Sequence, residues 1–179
     1  MIGTSGSGKT TLARELQDVL DIPFYQMDQL HWRANWQAAT DEQLFESVEE
    51  ITSQDRWILD GNYTHTTPIK WQRVQLVIWL DLSFARTVTR VVQRTVRRIY
   101  SREELWPDTG NRETLMSSFA STDSVIWWAM KTHQKNRRKY AHLMDSTDYP
   151  HVKFIRLDSA KCVEAFIGGI QSTKSRILS

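Results

Sequence analysis

Gly3-Thr4-Ser5-Gly6-Ser7-Gly8-Lys9-Thr10 stands almost at the start of the chain. It fits the pattern G-x-x-x-x-G-K-[ST], with Gly3 and Gly8 at the fixed positions and Gly6 as a third glycine. Glycines let a backbone turn its N–H groups inward around phosphate oxygens. In such a Walker A loop, Lys9 is expected to reach the β- and γ-phosphates of ATP or GTP. Thr10 is expected to give its hydroxyl to Mg²⁺. Thr4, Ser5, Ser7 and Thr11 complete the expected nucleotide-binding stretch. The motif requires a helix directly after it, and Leu12, Leu16, Val19 and Leu20 recur at helical spacing over Lys9 to Leu20. That helix adds the positive end of its dipole. A strand is expected before the loop, yet Met1 and Ile2 are all that precede it. The expectation is therefore a truncated first strand, with Met1 inside the natural strand and the native start several residues upstream.

Downstream, strand and helix patterns alternate. Ile22 to Asp28 reads as a strand ending in an acid, and Asp41 to Thr52 as a helix with Thr40 at its N-cap. Arg56 to Asp60 reads as a short strand. Gln75 to Leu82 is the clearest strand, with the run Leu76-Val77-Ile78-Trp79-Leu80 suited to burial on both faces. Helices follow from Ser83 to about Arg102 and from Ser124 to Met144. A last strand at Val152 to Leu157 and a helix from Ala160 to Ile170 close the chain. The alternation predicts an α/β fold: a parallel sheet covered by helices, in one domain over 1–179.

Composition narrows the class further. The chain has 179 residues, 40% of them hydrophobic and 25% charged, as in an ordinary soluble protein. No apolar run approaches the roughly 20 residues of a membrane span, so no membrane partner is expected. The phosphate loop leaves no room for a signal peptide, and one cysteine, Cys162, excludes an internal disulfide. Both fit a cytoplasmic protein. Net charge is +2, but residues 86–139 hold 12 Lys and Arg against 5 Asp and Glu, or +7, which leaves −5 for the remainder. A basic segment beside a phosphate loop suits an anionic ligand.

The chemistry-bearing residues lie at strand ends and on that basic segment. In doubly wound sheets ligands sit beyond the carboxyl ends of the strands, and acids fall there at Asp28, Asp60 and Asp81. Asp60 is placed like a Walker B acid that orients Mg²⁺. Asp28 is a candidate proton acceptor for a substrate hydroxyl. Asp81, next to Ser83 and the following helix, is more simply a turn or capping acid. Arg86, Arg90, Arg94, Arg98 and Arg102 recur every four residues without an intervening acid, one basic face of a helix. Val88, Val91, Val92, Val96 and Ile99 supply the other face. Lys135, Arg137, Arg138 and Lys139 form a second basic set. Together they read as two walls of a lid over roughly 94–140, since phosphoryl transfer needs cations around the migrating group.

The order of Walker A loop, Met27-Asp28-Gln29-Leu30-His31-Trp32, Asp60-Gly61-Asn62-Tyr63 and arginine-rich helix resembles the adenylate-kinase-like P-loop proteins often labelled DNA topology modulation proteins. Glu104-Leu105-Trp106, Gly110-Asn111-Arg112-Glu113 and Trp128 to His133 strengthen the likeness, which covers nearly the whole chain. The resemblance implies a nucleoside-monophosphate-kinase-like fold with an ATP site and an arginine-bearing lid. Asn62-Tyr63-Thr64 stands where adenylate kinases have Phe-Pro-Arg after their Asp-Gly, which argues against ordinary adenylate kinase activity.

These readings combine into one expectation. The chain is an enzyme that transfers the γ-phosphoryl group of Mg·ATP, or of GTP, to a small-molecule acceptor such as a nucleotide. Lys9, Arg94, Arg98, Arg137 and Arg138 stabilise the migrating group; Thr10 and Asp60 hold Mg²⁺. Asp28 orients or deprotonates the acceptor, and His31, Trp32, Asn62 and Tyr63 line its pocket. A nucleic-acid-binding regulator with an ATP switch and a non-catalytic nucleotide binder are the alternatives.

Overall fold

The computed structural model describes residues 1–114 and 124–178. Strand β1, Ile2–Gly3, leads through the loop into helix α1, Lys9–Leu20, which buries Leu12, Ala13 and Leu16. Strand β2 is Phe24–Gln26, and the short helix α2 is Met27–His31. Helix α3, Asp41–Ser53, opens with a capping box: Thr40 Oγ1 accepts from the Gln43 N–H, and the Gln43 side chain accepts from the Thr40 N–H. Such a cap satisfies two of the N–H groups that every helix start leaves unpaired. Strand β3 is Ile58–Asp60, helix α4 is Thr67–Lys70 and strand β4 is Leu76–Leu80. Helices α5, Phe84–Ser101, and α6, Val125–Asp145, precede strand β5, Lys153–Leu157, and helix α7, Ala160–Leu178.

All strand pairs are parallel. β4 lies between β1 and β5, and β2 pairs with β3 in the register Phe24 to Ile58 and Gln26 to Asp60. The two groups meet at Met1 and Gly3. The Met1 nitrogen donates to Leu59 O at 2.7 Å, and the Gly61 N–H donates to Met1 O at 3.3 Å. Beyond that, the Asn62 side chain takes the role of a strand: its Oδ1 accepts from the Gly3 N–H at 3.1 Å and its Nδ2 donates to Gly3 O at 2.6 Å. The strand order is thus β2-β3-β1-β4-β5, with the loop-bearing strand central.

Helices cover both faces, and β4 shows why its apolar run is unbroken. Val77 and Trp79 face Ile2, Trp71, Tyr140 and Val152, while Ile78 and Leu80 face Leu12, Leu16 and Leu157. A third cluster of Met27, Leu44, Val48, Ile51 and Leu59 packs α3 against β2 and β3.

Three readings of the sequence need correction here. The second strand stops at Gln26, so Asp28 lies in the first turn of α2 and not on a strand. The chain turns because Met27 is fully buried in the α3 cluster, where Gly61, lacking a side chain, leaves it room. The buried row of α5 is Thr87, Val91 and Thr95, while Val96 is exposed. Helix α7 runs well past Ile170.

Candidate phosphate and acceptor site

The loop is built as a cradle. Gly6 has φ +82, and a Cβ there would stand 2.3 Å from Val91 Cγ2 and 2.7 Å from Thr87 O of α5. The loop therefore nests directly on that helix, which no other residue type permits. Gly8, with φ 96, is the N-cap of α1 and offers no side-chain acceptor to its first N–H groups. Those donors are left for an anion. Lys9 Nζ bridges the loop to Thr4 O at 3.2 Å.

Asp60 is 7% exposed, and its Oδ2 accepts the Thr10 hydroxyl at 2.7 Å. Its Oδ1 is buried without a hydrogen-bond partner. An orphaned carboxylate oxygen beside a threonine hydroxyl fits a hard cation, because leaving such a group unpaired is costly. Among the described residues no cluster of three or more His, Cys, Asp or Glu could hold a metal. Mg²⁺ takes few protein ligands and completes its shell with water and phosphate oxygens.

Helix α5 brings two arginines to the loop. Arg94 Nη2 donates to Ser5 Oγ at 3.3 Å, while its Nε is buried without a partner. Burial and then the neighbouring Arg98 pull the Arg94 pKa down, opposed by Glu113, Asp28 and Asp60. Arg90 reaches over Gly8, with Nη1 at 3.1 Å from where a Cβ would stand. Arg98, one turn beyond Arg94, pairs with Glu113 at 3.2 Å, and the second Glu113 oxygen is buried and unpartnered.

The residues expected to line an acceptor pocket separate into two groups. Asp28 Oδ1 accepts the Tyr63 hydroxyl at 2.9 Å. Burial and then Asp28 push the Tyr63 pKa upward, so the phenol stays a donor. His31 packs on Tyr63 and on Trp32, with ring centroids 5.1 and 4.8 Å away, and burial is the first cause of its lowered pKa. Asn62, by contrast, spends its amide on Gly3.

The second basic set is dispersed. Arg137 Nε bonds Asp81 Oδ2 at 3.1 Å, an oxygen shared with Arg156, whose guanidinium lies 4.9 Å over the Trp79 ring. Asp81 is thus a buried anchor for α6 and β5. Arg138 is exposed, and Lys139 Nζ donates to Thr64 Oγ1. Residues 115–123 of the expected lid lie outside the described residues.

Sequence reasoning placed Arg90 on the basic stripe and Asn111 and Glu113 in the segment that carries the resemblance, without a particular role for any of the three. Asn111, 2% exposed, accepts from the Trp36 N–H and donates to Arg33 O, fastening the 104–112 loop to the segment after α2. Arg90 was legible as a member of the four-residue stripe. Glu113 and Asn111 carried no local signal, since each acts on a distant segment.

No known family profile and no curated protein matches the chain. Among solved structures it is similar to a gluconokinase from Sinorhizobium meliloti 1021. That match has 14% identity and a TM-score of 0.50, and covers 98% of this chain and 90% of that one. A deoxyadenosine kinase from M. mycoides with bound dCTP matches at 12% identity and TM-score 0.45, over 96% and 97% of the two chains. The likeness to the gluconokinase shows the fold: an α/β arrangement of a parallel sheet covered by helices.

Proposed function

We propose that the protein is a single-domain P-loop phosphotransferase. It binds a nucleoside triphosphate with Mg²⁺ and passes the γ-phosphoryl group to a small-molecule acceptor. The observation that carries this reading is the Thr10–Asp60 hydrogen bond beneath the loop, with the other Asp60 oxygen buried and unpartnered. The loop from Gly3 to Thr11 cradles the phosphates with N–H groups other than those of Gly3 and Ser7, which donate to Asn62 and Thr4, and Lys9 leaves Thr4 O to neutralise the β- and γ-oxygens. Thr10 and Asp60 would hold Mg²⁺, which neutralises charge on the phosphates as transfer proceeds.

Arg94 sits on the loop and stabilises the migrating group. Arg98 on α5 and Arg137 and Arg138 on α6 contribute to it as these two helices close over the site. Arg98 and Arg137 must then leave Glu113 and Asp81. Asp28 orients the acceptor or takes its proton, while His31, Trp32 and Tyr63 line its pocket and Asn62 holds the strand end that carries Tyr63. The nucleic-acid alternative has less support, because Arg94 touches the loop through Ser5 and Arg98 pairs with Glu113, so the middle of the arginine stripe is turned to the phosphate site. A cytoplasmic setting fits this chemistry, and among the described residues no helix is long and apolar enough to cross a membrane.

The reading is tested with Lys9→Ala. Transfer from labelled ATP should be lost, and ATP affinity should fall much more than affinity for the nucleoside. Equal ATP affinity in variant and parent would remove the phosphate-loop role from Lys9.

A further inference from the structure

What accepts the phosphoryl group is legible in the charges around Asp28, given the phosphotransferase reading above. We infer that the acceptor is an uncharged alcohol on a planar ring body, of the nucleoside class, with Asp28 as its base and Tyr63 as the residue that positions that base.

The two plausible acceptor chemistries demand opposite sites. A phosphate acceptor is already anionic, needs no base and must be met by cations. An alcohol must lose its proton as it attacks, which calls for a positioned carboxylate. Asp28 is exposed, and among the described residues no Lys or Arg lies within ion-pair distance of it. The arginines that flank this side serve other charges: Arg94, on the loop through Ser5, and Arg98, drawn from Glu113, act on the migrating γ-phosphoryl group, Arg112 pairs with Glu104, and Arg90 lies over Gly8 of the loop. A monophosphate placed at Asp28 would meet like charge and no free counter-ion on its own side of the loop. Arg33, on the segment just after α2, is exposed, and its recruitment is the arrangement an anionic acceptor would need.

Asp28 is also placed for the reaction. Gln26 is the register partner of Asp60, Asp28 follows two residues on in the first turn of α2, and Arg94 feels the charges of both acids. The Tyr63 hydroxyl holds Oδ1, so Oδ2 is the oxygen left to take the acceptor's proton. In the step, the acceptor hydroxyl oxygen forms a bond to the γ-phosphorus. The β,γ-bridging P–O bond breaks, its electron pair stays on the leaving nucleoside diphosphate, and the hydroxyl proton passes to Asp28.

The ring body follows from a chain of aromatic contacts that starts at Tyr63. His31 is 5.1 Å from Tyr63, Trp32 is 4.8 Å from His31, Trp36 is 5.8 Å from Trp32 and Trp106 is 5.8 Å from Trp36. Trp36 is 45% exposed, so the row is open on one side. Stacking on such rings favours a flat partner.

The experiment compares matched acceptors, adenosine and thymidine against their 5′-monophosphates, with labelled ATP and the whole 179-residue chain. A nucleoside should be phosphorylated at least about tenfold faster than its monophosphate. Asp28→Asn should lower that rate by about 10²–10⁴-fold, the range for removing a general base, with ATP affinity retained. Tyr63→Phe should lower kcat for the nucleoside with KM for ATP unchanged, a split that general destabilisation would not produce. Preference for the monophosphate overturns the inference while the phosphotransferase reading stands, most directly if Arg33→Ala abolishes that preference. Nucleoside turnover unchanged in Asp28→Asn, or no turnover of either nucleoside, overturns it too. Failure of the parent to bind ATP removes the phosphotransferase reading itself.

Discussion

Thr10 and Asp60 are 50 residues apart in sequence and 2.7 Å apart in space, and the single hydrogen bond between them leaves one carboxylate oxygen with nothing to bind. Replacing Asp60 by Asn keeps an acceptor for Thr10 but removes a negative charge. The Mg²⁺ concentration needed for half-maximal transfer should rise by about tenfold or more, with the ATP requirement at saturating Mg²⁺ little changed. Unchanged Mg²⁺ dependence would take the metal role from Asp60. Arg94 gives the complementary test. Its side chain is largely buried, touches the loop through Ser5 and feels the charges of Asp28 and Asp60. An arginine acting on the transferring group is worth about 10³–10⁵ in rate. Arg94→Ala should therefore slow transfer by about that factor and weaken ATP binding far less, as a comparison of kcat with ATP affinity reads directly. At this scale the sequence revealed what is contiguous. Eight adjacent residues specify the loop, and Asp60 ends a short apolar run. The pairing of Arg98 with Glu113, or of Asp81 with Arg156, joins segments up to 75 residues apart and has no local signature.

Among the elements, those with strong end signals were readable to the residue. α1 begins where the loop ends, and α3 begins at a Thr40–Gln43 capping box. The α5 helix was readable in extent but not in orientation. Its packed row is Thr87, Val91 and Thr95, and the loop at Gly6 lies directly against the Val91 side chain and the Thr87 backbone. Tertiary fit overrides the hydrophobic pattern there. α6 is held at the sheet by two residues one turn apart: His133, whose Nε2 meets Leu82 O at 3.1 Å, and Arg137 at Asp81. Asp81 is 3% exposed and carries both guanidiniums on one oxygen. Asp81→Asn should destabilise the fold by about 2 kcal/mol. That is below the ~3–5 kcal/mol of a fully buried pair, because Arg137 and Arg156 keep access to water. Urea unfolding of parent and variant measures it, and a difference under 0.5 kcal/mol, on the order of a surface substitution, would make the contact incidental.

For the whole molecule, pH exposes a cost carried by the core. Lys70 is 7% exposed, and its ammonium donates to Tyr63 O. Burial, and next the charge of Lys139, pull its pKa down to about 8 from an ordinary 10.5. The unfolded chain thus binds more protons than the folded one between these values, and stability rises as pH climbs from 8 toward 10.5 and is lost as it falls back. Lys70→Met keeps the apolar stem without the charge. It should gain stability relative to the parent below pH 8 by about 3 kcal/mol at most, the equivalent of 2.5 pKa units, and the gain should shrink above pH 10. Denaturant unfolding at pH 7 and pH 10 checks this, and a gain independent of pH would place its cause in packing. The central β1 strand has a different consequence. Its bond to β4 is a ladder, whereas at Gly3 the side chain of Asn62 stands in for a backbone pairing with β3. Under mechanical load or in deuterium exchange this line is a perforation: the lobe of β2, β3 and α3 should open as one sub-global unit, its amides exchanging ahead of those of β4 and β5. Because Thr10 lies on one lobe and Asp60 on the other, a bound magnesium–nucleotide pair would span the perforation and slow that opening. The ligand would act as a rivet as well as a substrate.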